Sequence, residues 1–101
     1  MSRNHEVLWY KTGVAIQWTE SADKHGIPHE QALFALANHH WHVPEFDESR
    51  VGGVKPDLYI GPAWLGGPLL EVMCFRIPPR DLVIFHVMEL REKIRKLAEE
   101  S

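Results

Sequence analysis

The sequence has one cysteine, Cys74, so no internal disulfide is available and the chain reads as a protein of a reducing, cytoplasmic compartment. No apolar run approaches the ~18 residues of a membrane-spanning helix, so a membrane role is not expected. Residues 1–10 carry neither a basic-then-apolar signal pattern nor an Arg-rich transit pattern. There is no excess of positive charge. Lys and Arg number 11 against 14 Asp and Glu, a formal charge of -3, so no overall field draws in a polyanion. Binding of DNA by the chain alone is therefore not expected, and an RNA partner would need a local basic patch. Gly-rich phosphate loops, nucleophile elbows, internal repeats, low-complexity segments and linkers are all missing.

What is present is ordinary in bulk. The 101 residues are 45% hydrophobic and 25% charged, which suits one globular domain with a single modest core. Seven His and four Trp are the compositional oddities.

Residues 1–13 read as a loosely held arm, with 6–10 a short strand as the alternative. Val14, Ile16 and Trp18 share one face of an alternating strand over 14–18. Thr19 is placed to cap a short helix that Gly26 stops after Lys24-His25. A second helix starts with Pro28 at its first position, presents Leu33, Leu36 and Ala37 with Phe34 at the margin, and ends at Asn38 in the left-handed conformation. Residues 39–43 suggest a strand and 45–57 a surface loop, with an edge strand within it as the alternative. Strands follow over 58–60, 69–77 and 82–87, separated by Gly66-Gly67 and by a turn at Pro78-Pro79-Arg80-Asp81. A helix over 89–100 closes the chain, with Leu90, Ile94 and Leu97 in one stripe and Glu89/Lys93 and Glu92/Lys96 as i,i+4 pairs. Helices set apart from a block of hairpin-linked strands define an α+β fold.

The last hairpin permits a geometric inference. If Ile77 pairs with Leu82, then Met73 faces His86, Glu71 faces Met88, and these share a face with Phe75 and Ile84. Glu71 and His86 then become diagonal neighbours, roughly 6–8 Å apart at Cβ. A carboxylate and an imidazole in reach of each other can act as base and acid. The same residues also describe a hydrogen-bonded, half-buried histidine beside a solvent-facing carboxylate. His25 and His29 cannot share a helical ligand spacing with Gly26 and Pro28 between them, and His40 and His42 lack a matched third ligand, so no metal site is expected. Lys24-His25 suits either a phosphate contact or cations at a helix end. Arg76, Arg80, Arg91 and Arg95 could add a patch among intervening acids. Trp64, beside Pro62 and Gly66-Gly67, is expected to be exposed and so to contact a partner, whereas Cys74 is expected to be a buried, inert thiol.

Trp18, Lys24-His25-Gly26-Ile27, Glu30 and Ala32 resemble the pattern of the BrnT toxins in the RelE/ParE superfamily: a strand ending in Trp, a helix, then Lys-His-Gly-(Ile/Val)-x-x-Glu-x-Ala. The order of the remaining elements is similar too, so that the resemblance spans residues 14–98. It implies a small twisted antiparallel sheet, with N-terminal helices and a C-terminal helix packed on one side. It further implies the toxin of a type II toxin–antitoxin pair, a ribosome-associated endonuclease of mRNA neutralised by a cognate antitoxin. Lys24 and Glu30 take the positions of the family's lysine and of the glutamate after it. Glu71 or His86 would deprotonate the RNA 2′-hydroxyl, and Lys24, Arg76 and Arg80 would hold substrate phosphate. Because the nucleophile lies in the substrate, no metal or cofactor is implied. Where the family's last strand ends in arginines this chain has Val87-Met88-Glu89. That departure frames the alternative: a non-catalytic protein-interaction module of the same fold.

Overall fold

A computed structural model of the chain describes residues 7–9, 15–48 and 53–101, with the backbone alone for 7–9. Its strands are β1 (Val7–Trp9), β2 (Ala15–Trp18), β3 (Trp41–Val43), β4 (Asp57–Pro62), β5 (Leu69–Ile77) and β6 (Asp81–Glu89). The helices are α1 (His29–Ala37) and α2 (Glu92–Glu99), and Glu20–Asp23 form a 3-10 turn. Together they make a small α+β fold around one six-stranded sheet, ordered β1-β2-β6-β5-β4-β3. No helix among the described residues is long and apolar enough to cross a membrane.

The sheet is mixed rather than antiparallel throughout. Chain leaving β2 passes through α1 and three further strands before β6 returns beside β2 in the same direction, setting Ile16 opposite Leu82 and Trp18 opposite Ile84. Val7–Trp9 pair antiparallel with β2, which is the short strand of the two readings open for this segment rather than the loose arm; the rest of 1–13 lies outside the described residues. Hairpins β3–β4, β4–β5 and β5–β6 supply the other pairings.

Because side chains alternate along a strand, the sheet has two apolar faces, and both are covered. On one, Trp18, Leu70, Val72, Cys74, Ile84 and Val87 pack with Ala32, Leu33 and Ala35 of α1. On the other, Leu58, Ile60 and Met73 pack with Ile94 and Ala98 of α2. The two helices therefore lie on opposite faces, not on one side. α1 turns Ala32 and Ala35 inward, where it lies very close to β4, and leaves Ala37, expected on its apolar face, exposed. A Cβ on Gly61 would collide with the Ala35 carbonyl oxygen and stand 2.9 Å from the Cα of His39. Small residues on helix and strand set that separation.

Local signals set the element ends with some corrections. Pro28 is the residue before α1, not its first, and its carbonyl accepts from Gln31 and Ala32. Asn38 ends α1 at φ -121, outside the left-handed region, its backbone and side-chain N–H groups both donating to the Phe34 carbonyl. Thr19 makes no side-chain cap, and the expected first helix is only the 3-10 turn, which Gly26 terminates at φ +72. Glu89 still belongs to β6, so α2 starts at Glu92 and a Glu89/Lys93 helical pair does not form. Arg95 instead lies between Glu92 and Glu99, 4.0 Å from each.

Candidate active site

The β5–β6 hairpin brings Glu71 and His86 together through an irregularity. Near the turn, Ile77 pairs with Asp81 and Cys74 with Ile84. Beyond it, Met73 pairs with His86 and Glu71 with Met88, so Phe85 is an extra residue that forms a β-bulge. The bulge turns Phe85 and His86 toward the α2 face, where Phe85 stacks on Phe75, and leaves Ile84 on the α1 face. Ile84 thus does not share the Glu71 face.

Glu71 is wholly buried, and its carboxylate is saturated with donors. Oε1 accepts from His86 Nε2 at 2.8 Å and from Arg91 Nη2 at 2.7 Å. Oε2 accepts the backbone N–H of Arg91 at 2.9 Å, and Arg91 Nε lies 3.1 and 3.2 Å from the two oxygens. Burial alone would push the Glu71 carboxyl up, but bonds from His86 and from the side chain and backbone of Arg91 outweigh it and hold the group at about 2. Hydrogen bonding to Glu71 in turn raises Arg91 above its ordinary value. A carboxylate so held is a poor proton acceptor near neutrality, and its bonds orient the His86 ring and the Arg91 side chain. Since it can only accept, His86 presents Nε2–H to it, which leaves Nδ1 as the acceptor nitrogen of the neutral ring.

Around His86 the surface is open. A groove of about 430 Å³ runs between β6 and α2, walled by Met73, Phe85, Ile94 and Leu97, with His86, Arg91 and Lys93 as its basic lining and Asp47 at its margin. From the β2 side, the 3-10 turn lies along β6, its Ser21 hydroxyl donating to the Phe85 carbonyl at 2.6 Å. Exposed Lys24 follows the turn, and the ring of His25 stands edge-on to His86 with centroids 5.7 Å apart.

Arg76 and Arg80 are not part of this cluster. They line a separate groove of about 590 Å³ with Lys55, Tyr59, Pro79 and Leu82. Behind it stands a second buried carboxylate, Asp57, which lies 2.8 Å from His42 Nε2 and 2.9 Å from Arg76 Nε. Asp57 Oδ1 also accepts the backbone N–H of Glu45, a non-glycine residue at φ +50, and so holds that left-handed turn. The ring of His42 stacks on Tyr59 at 4.2 Å. Burial, then the charges of Cys74 and Asp57, push the Tyr59 hydroxyl up to about 12 despite Arg76. Sequence reading missed this cluster by leaving Asp57 in a loop; a β3–β4 pairing of His42 with Tyr59 would have revealed it.

Trp64 is 51% exposed beside Leu65 at 90%, at the tip between β4 and β5. Its ring lies against Gly67, where an added Cβ would stand 2.7 Å from it. Among the described residues no three His, Cys, Asp or Glu side chains converge as a metal-ligand set. Comparison of the chain with protein-family models, curated proteins and solved structures gives no match.

Proposed function

We propose that this chain is the toxin of a type II toxin–antitoxin pair, with a RelE/BrnT-like fold, acting in the cytoplasm as a metal-independent endoribonuclease on mRNA and neutralised by a cognate antitoxin. The observation that carries the reading is His86, held through Nε2 by an ionised, buried Glu71 and flanked by Arg91 at an open groove. In this mechanism His86 Nδ1 removes the proton of an RNA 2′-hydroxyl, which attacks the adjacent phosphorus. Glu71 fixes the ring's orientation and its tautomer, as a carboxylate does behind a catalytic histidine. Arg91 spends Nε and Nη2 on Glu71, and its half-exposed guanidinium keeps Nη1 for phosphate. Arg91 takes the phosphate role that the resemblance implies for Arg76 and Arg80, which line the other groove, and Lys24, on the turn beside β6, is the further cation of this reading. A cation at the start of α2 thus stands in for the arginines lacking at Val87-Met88-Glu89. Expression of the chain alone in a bacterial host tests this. Growth arrest with loss of mRNA integrity, both relieved by His86→Ala, is expected; normal growth at high expression contradicts it.

The exposed Trp64–Leu65 tip favours a second reading, a non-catalytic module that docks a partner protein. It expects normal growth, and co-purification of a partner that Trp64→Ala releases.

A further inference from the structure

We infer that His25 is a second catalytic residue, the general acid that protonates the leaving 5′-oxygen; this rests on the nuclease reading above. The ring of His25 stands 5.7 Å from that of His86, centroid to centroid, at 76°. The residue is exposed, and among the described residues no hydrogen bond or ion pair holds its side chain elsewhere.

The chain nonetheless builds that place with care. Thr19 N–H donates to the Ile84 carbonyl at 3.0 Å and the Ser21 hydroxyl to the Phe85 carbonyl at 2.6 Å, tying the 3-10 turn to the strand at its bulge. Ala22 is buried beneath it, and Gly26, at φ +72 with its N–H donating to the Asp23 carbonyl, ends the turn immediately after His25. One irregularity of β6 therefore aims His86 into the site and anchors the segment that carries His25.

Two imidazoles at this spacing suit the two proton transfers of phosphodiester cleavage. The 2′-hydroxyl proton passes to His86 Nδ1 as the 2′-oxygen bonds to phosphorus. The bond from phosphorus to the 5′-oxygen breaks with its electron pair on that oxygen, which takes a proton from the His25 imidazolium. The products are a 2′,3′-cyclic phosphate and a free 5′-hydroxyl; His86 leaves protonated and His25 neutral, and exchange with water resets both. No co-reactant is required.

The test compares the purified chain on two substrates, a short single-stranded RNA and uridine 3′-nitrophenyl phosphate, whose phenolate departs without needing a proton. His25→Ala is expected to lower kcat on RNA by about 10²–10⁴-fold, the usual contribution of a general acid, while changing the nitrophenyl ester by less than about tenfold. His86→Ala should lose both. Equal loss on both substrates, or no loss, with His25→Ala overturns the role of His25 and leaves the nuclease reading standing. Failure of the unaltered chain on both substrates overturns the two together. Circular dichroism of His25→Ala should match the unaltered chain, because the side chain is exposed.

Discussion

Arg91 gives both its backbone N–H and its guanidinium to the carboxylate of Glu71, twenty residues away in sequence. One buried anion on the central strand thereby fixes where α2 begins, which way Arg91 points and which nitrogen of His86 carries a proton. The relationship is structural, and its part in the proposed chemistry can be tested separately.

Acid should release it. The Glu71 carboxyl is held at about 2 against an ordinary 4.5, so its ionised form favours the folded state. That stabilisation is complete above about pH 4.5 and is lost as pH falls toward 2, with a full size of roughly 3 kcal/mol. Denaturant midpoints measured across this window should fall for the unaltered chain. In Glu71→Gln the same dependence should flatten, from a lower starting stability, since removal of one member of a buried pair costs about 3–5 kcal/mol.

The contact between α1 and β4 should be intolerant of a single methyl group. In Gly61→Ala the new Cβ meets the Ala35 carbonyl and the His39 Cα, both backbone atoms that cannot swing away. Overpacking of this kind costs about 1–3 kcal/mol. Thermal melts should show a Tm lower by at least ~4 °C.

Cys74 should be inert until the fold opens. It is fully buried, and its thiol is pushed up to about 12 by burial and then by the charge of Asp57, with Arg76 opposing. Iodoacetamide should leave the folded protein unmodified in mildly alkaline buffer and label it fully in denaturant, as read by mass spectrometry.

Trp64 separates the two functional readings. Its substitution by Ala removes a largely exposed ring, so stability should change by no more than about 1 kcal/mol. RNA cleavage should survive in this variant if the nuclease reading holds, whereas a docking module would lose its partner.

Much of the fold was legible locally, and the misses share a cause. The strand Leu69–Ile77 follows from its apolar run between Gly66-Gly67 and Pro78-Pro79. Glu71 and His86 were placed near each other through a turn pairing wrong by one residue. Ile77 pairs with Asp81 rather than Leu82, and the extra residue Phe85 restores the register farther along. Nothing local in the sequence marks that bulge; it is a property of two strands meeting. The parallel pairing of β2 with β6, the placing of α1 and α2 on opposite faces, and the Asp57–His42–Arg76 cluster likewise depend on partners distant in sequence. Arg91 was visible as a cation, yet its value to the site lies in where α2 starts, and hydrophobic periodicity put that start three residues too early.

The most direct test of the central claim is end analysis of RNA exposed to the purified chain in excess chelator. The Glu71–His86–Arg91 site is expected to yield 2′,3′-cyclic phosphate and 5′-hydroxyl ends, lost in His86→Ala. Intact RNA, or 5′-phosphate ends that appear only when a divalent cation is restored, would contradict it.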